Sequence, residues 1–111
     1  MDFEAYQQGA GRTLNPSLSP DQRLLDAAAG LSEEAGEILG LVRKHLFQGH
    51  PLDRGALVKE LGDALWCLSA MATSLQVSLG ETAAANLDKL RKRYPDGYTD
   101  PASLSRLDED S

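Results

Sequence analysis

The chain of 111 residues has one cysteine, Cys67, 5% aromatic residues and no apolar run of membrane-spanning length. A lone thiol cannot close an internal disulfide, and the missing hydrophobic run excludes a transmembrane helix. Scarce aromatics leave Leu and Ala to supply most of the 41% hydrophobic content, which favours helices over sheet. Positive charge is also short, with 11 Lys and Arg against 17 Asp and Glu and a formal net charge of −6. A nucleic-acid backbone needs the opposite balance on one face, so nucleic acid is not an expected partner. An acidic chain can still meet phosphates through metal ions. With no signal-peptide pattern, the expectation is a soluble, cytoplasmic protein of one domain with a thin core.

What is present is helical punctuation. Residues 2–12 read as a short leading helix, followed by a loop around Pro16. Ser19-Pro20-Asp21-Gln22 combines a cap, a proline at the first helical position and a Gln three residues after the cap. From there Leu24, Ala28, Leu31, Ala35, Ile38 and Val42 recur at helical steps until near Leu46. A Gly- and Pro-containing connection over residues 47–53 leads to Asp53, the expected cap of a second long helix striped by Leu57, Leu61, Ala64, Leu68, Met71 and Leu75. Ser78-Leu79-Gly80-Glu81 opens a third, running to about Tyr94, where Pro95-Asp96-Gly97 stops it. The predicted fold is all-α: an antiparallel bundle of three to four helices over residues 1–98, with 99–111 a flexible acidic tail. Its apolar faces are too wide for one subunit to cover, so completion by homo-oligomerisation is expected.

Chemistry concentrates in four acids. Glu34 and Glu37 are three residues apart, as are Glu60 and Asp63, so each pair shares one side of its helix. A single pair of this kind is usually a solvated face. Here both pairs border the core stripes, and no Lys or Arg occupies positions 33–42 or 60–75. If the two helices pack antiparallel, the pairs meet at mid-length as four hard oxygen ligands suited to Mg2+, with Mn2+ as a substitute. A ferritin-like di-iron site would also need Glu-x-x-His, which the chain lacks; His45 and His50 read as structural or solvent-exposed.

Glu33-Glu34-Ala35-Gly36-Glu37 followed by Glu60-Leu61-Gly62-Asp63 resembles the EExxE and ExxD motifs of MazG-type nucleotide pyrophosphohydrolases, members of the all-alpha NTP pyrophosphatase superfamily. The likeness extends over most of residues 5–98, through Gly49-His50-Pro51-Leu52-Asp53 and the run Asn86–Tyr94. It implies a magnesium-dependent hydrolase cleaving a nucleoside triphosphate between the α and β phosphates, giving a monophosphate and pyrophosphate. By the same resemblance Glu34, Glu37, Glu60 and Asp63 are metal ligands, and Glu33 binds a further metal or orients the attacking water, a role weighed equally against that of an ordinary exposed residue. No Ser, Cys or His nucleophile is then required.

Asn86, Lys89 and Arg93 share one face of the third helix. By itself that is a solvated basic face; with the resemblance it becomes a substrate-binding face for phosphates. Tyr6, Gln7 and Thr13 resemble a segment bordering the nucleoside pocket, although packing explains Tyr6 equally well. Trp66 and Cys67 read as core residues. Two alternatives stand beside this reading: a phosphoribosyl-ATP pyrophosphohydrolase of the same fold, and a non-catalytic helical dimerisation module. A homodimer or homotetramer is expected.

Overall fold

The computed structural model describes residues 1–106 and 108. Five helices occur, α1 (Phe3–Gly11), α2 (Pro20–Gln48), α3 (Arg54–Ser74), α4 (Leu79–Arg93) and α5 (Asp100–Ser105), with no strand among the described residues. The all-α class is therefore observed, with five helices where three to four were expected. The contacts divide the chain into two units, Met1–Leu79 and Gly80–Ser111.

In the first unit the helix ends form where the side chains can satisfy free backbone groups. Ser19 accepts from the Gln22 amide while Gln22 Oε1 accepts from the Ser19 amide, closing the capping box, and Asp53 accepts from the Ala56 amide at 2.9 Å to start α3. Asp2 caps α1 in the same way. Gly49, at φ 72°, ends α2 in the left-handed region that glycine adopts without strain, and His45 Nδ1 donates to the His50 carbonyl across the turn.

The pairing of α2 with α3 is antiparallel. Gly30 faces Cys67, Glu34 shares a cavity wall with Asp63, and Glu37 meets Glu60, so positions on α3 fall as those on α2 rise. Gly30 packs on Cys67 where the two helices meet, and the buried residues of both helices are small. Ala27, Cys67, Ser69, Ala70 and Ala72 are buried, whereas Ala28 and Ala35 of the expected α2 stripe are exposed. On α3 the expected stripe divides: Leu57, Ala64 and Met71 are half-buried, but Leu61, Leu68 and Leu75 retain 59%, 43% and 58% exposure. Small side chains let the helix backbones approach, and the bulky leucines turn outward.

Gln7 ties α1 to the end of α3. Its Nε2 donates to Thr73 Oγ1 at 3.2 Å and to the Val77 carbonyl at 3.0 Å, and its Oε1 accepts from the buried Leu79 amide at 2.7 Å. The turn it grips contains Gln76, a non-glycine residue at φ 58°.

The second unit holds α4 from Gly80 onward and α5. The segment expected to be a flexible tail contains α5, whose Thr99 side chain accepts from the Ala102 amide and whose Pro101 sits in the first turn, where its missing N–H is not needed. The rest of that expectation, on residues 107 and 109–111, lies outside the described residues.

Candidate metal centre

Helices α2 and α3 bring three carboxylates together: ligand oxygens of Glu34, Glu37 and Glu60 all lie within 4.8 Å of one another. Glu34 and Glu60 are half-buried and Glu37 is exposed, so the group opens to solvent on one side. As ionised carboxylates, Glu34 and Glu60 each leave one oxygen, Oε2, buried without a hydrogen-bond partner. Buried acceptors of this kind are unfavourable unless a donor or cation supplies what they lack.

The electrostatics point the same way. Glu37 titrates above the usual glutamate range, first through a hydrogen bond with Glu60 and then through its charge. Glu60 is raised as well, led by its hydrogen bond with Glu34 and reinforced by burial and the charges of Glu34 and Asp63. Neighbouring carboxylates resist simultaneous ionisation, so the cluster holds protons or takes a cation. The donor set, all hard carboxylate oxygens with two lacking partners when ionised, fits a hard divalent cation.

Asp63 lies outside that three-membered group. It lines a cavity of about 260 Å3 together with Asp26, Gly30, Glu34, Trp66 and Cys67. Its charge helps raise Glu60, Tyr6 and Cys67, although burial is the larger cause for the last two. Asp26 was not anticipated. The signal was available, because Asp26, Gly30 and Glu34 follow one another at steps of four along α2 and so share a face. Glu33 is exposed, and its charge contributes to raising Glu37.

Trp66 is half-buried on the cavity wall, and its Nε1 donates to Thr13 Oγ1 at 2.7 Å, which ties the ring to the loop after α1. Thr13 in turn donates to the Ala10 carbonyl. Tyr6 lines a second cavity of about 350 Å3 with Met1, Asp2, Phe3 and Leu65. Gln7 spends its amide on the α3 end, a structural role.

Within the second unit Asn86 and Lys89 are exposed on α4, and Arg93 is engaged. Arg93 Nε and Nη2 donate to the two oxygens of Asp108 at 2.6 and 2.7 Å, while Lys89 Nζ stands 3.8 Å from Asp108 Oδ2. Arg93 holds the Asp108 carboxyl below its usual range. No spacing rule links position 108 to the α4 face.

Residues 22–98 match the MazG nucleotide pyrophosphohydrolase domain. The chain is also 38% identical over 108 residues to the "Gene 37 protein" of Mycobacterium phage L5, covering 87% of this chain and 92% of that relative. No solved structure matches. Among the described residues no helix is long and apolar enough to cross a membrane.

Proposed function

The chain belongs to the MazG nucleotide pyrophosphohydrolase family, and we propose that it is a divalent-metal-dependent enzyme hydrolysing the α–β phosphoanhydride bond of nucleoside triphosphates to a monophosphate and pyrophosphate. The observation that carries this reading is the cluster of Glu34, Glu37 and Glu60, with two buried oxygens that lack partners. A helical module that only dimerised would have no use for that arrangement, in which neighbouring carboxylates must hold protons or take a cation.

In this reading Glu34, Glu37 and Glu60 hold the ion, and Asp63 completes the set from the cavity wall. When bound, Mg2+ or Mn2+ supplies positive charge to the phosphate oxygens. Glu33, exposed beside the cluster, orients the attacking water and accepts its proton. Asn86, Lys89 and Arg93 donate to phosphate oxygens, a task suited to charge-assisted hydrogen bonds. The cavity beside Asp63, with Trp66 on its wall, offers an aromatic surface for the nucleoside.

The test is a panel of ribo- and deoxynucleoside triphosphates incubated with magnesium and followed for pyrophosphate release. Monophosphate and pyrophosphate in equal amounts are expected. Orthophosphate as the first product, or no turnover of any nucleotide, would overturn the reading.

A further inference from the structure

We propose that Asp108 is an internal oxyanion that competes with the substrate's phosphates for Lys89 and Arg93, so that the segment after α5 restrains phosphate binding. The inference rests on the reading of Lys89 and Arg93 as phosphate ligands. Three observations carry it. The Asp108 carboxylate accepts from Arg93 Nε and Nη2 at 2.6 and 2.7 Å, the fork geometry in which a guanidinium also takes two phosphate oxygens. Its side chain is 0% exposed and Arg93 is 18% exposed, so the pair is not a solvated surface contact. Lys89 Nζ lies 3.8 Å from the same carboxylate with its side chain 57% exposed, so both cations converge on one anion.

Asp108 also lies beyond residues 22–98, the stretch matching the family domain. The residue that occupies the two cations is thus outside the part of the chain that carries the acids. A phosphate chain reaching Arg93 must displace a carboxylate already seated there, and its apparent affinity falls by the fraction of molecules in which Asp108 is seated.

The experiment titrates inorganic tripolyphosphate, without metal, into the full chain, its Asp108→Asn and Asp108→Glu variants and the double variant Asp108→Asn/Lys89→Ala, with binding read by calorimetry. Removing the competing charge should tighten binding roughly ten- to a hundred-fold in Asp108→Asn, the range that one charge-assisted pair spans. Asp108→Glu, which keeps a carboxylate, should stay near the wild type. Adding Lys89→Ala should remove the gain. Equal affinity in wild type and Asp108→Asn, with the double variant weaker than both, overturns the competition and leaves the phosphate role of α4 standing. Binding indifferent to Lys89 removes that role and the inference with it. Should Asp108→Asn fail to fold, hydrogen exchange on the wild type decides: tripolyphosphate should speed exchange of the α5 amides, and unchanged protection at saturating ligand refutes the proposal.

Discussion

Gly30 and Cys67 face each other across the α2–α3 seam with little room for a methyl group, since a Cβ on Gly30 would sit 3.0 Å from Cys67 Sγ. The contact lies on the wall of the cavity that Glu34 and Asp63 also line. Elsewhere in a helix, Gly→Ala stabilises by about 1 kcal/mol through propensity. Here crowding against sulfur opposes that gain, and Gly30→Ala should be neutral or destabilising. In a Cys67→Ala background the sulfur is gone and the same substitution should be stabilising. A double-mutant cycle by urea unfolding should therefore return a coupling of about 1 kcal/mol, and additive effects would show that the seam is not tight at this point.

The three-residue spacing of Glu34 with Glu37 and of Glu60 with Asp63 made the acidic cluster legible, because helical geometry converts spacing into a shared face. Antiparallel pairing through a short connection then brought Glu37 to Glu60. The apolar stripes were less informative. Periodicity marks a face as apolar, but Leu61, Leu68 and Leu75 show that such a face can remain exposed. Asp26 escaped notice because one acid on a helix reads as solvated surface. Asp108 could not be placed, since its contact with Arg93 depends on the path of the chain after α4.

Those outward residues carry an expectation. Leu39, Phe47, Val58 and Leu61 are 66%, 80%, 65% and 59% exposed on two adjacent helices. Side chains of this size on the surface mark an interaction face, and a second copy would cover them. Light scattering at micromolar concentration should show a dimer or a dimer of dimers. A well-folded, active monomer would contradict the packing argument.

Gln7 should matter to stability. Gln7→Leu removes all three of its hydrogen bonds and leaves the Leu79 amide without its acceptor in a part-buried site. An unsatisfied buried donor costs about 1–3 kcal/mol, and chemical denaturation should report a loss of that size. A change below about 0.5 kcal/mol, the usual range for surface substitutions, would mean that water replaces the glutamine without penalty.

For the acids, Glu37→Gln and Asp63→Asn should each reduce pyrophosphate release by about a hundred-fold or more, since several kcal/mol of transition-state charge stabilisation depend on the cation they hold. Circular dichroism should remain helical, because neither change alters side-chain volume much. Full activity in either variant, or in excess chelator, would remove these residues from the metal site.

The last expectation concerns pH. Glu37 and Glu60 titrate above the free glutamate range in the folded chain, so between the unfolded and folded values the native state binds more protons than the unfolded one. Stability of the metal-free protein must then fall as pH rises above about 4.3, the free glutamate value, and level off beyond the folded values. Asp108 acts in the opposite sense. Its folded value is depressed, so its contribution is present above the free aspartate value of about 3.9 and is lost as pH falls below it. The glutamate window opens upward from the free carboxylate value and the aspartate window downward from it. A divalent ion replaces the protons the glutamates retain, so the rise in Tm on adding magnesium should be larger at pH 8 than at pH 5. Manganese binding in the range where the glutamates still hold protons should release them, detectable by calorimetry in buffers of different ionisation enthalpy. Glu37→Gln should flatten the metal-free pH slope, because the substituted side chain neither titrates nor repels Glu60. A metal-free Tm that climbs steadily from pH 5 to pH 8, or a magnesium shift independent of pH, would mean that the three carboxylates do not form the coupled cluster on which the metal assignment depends.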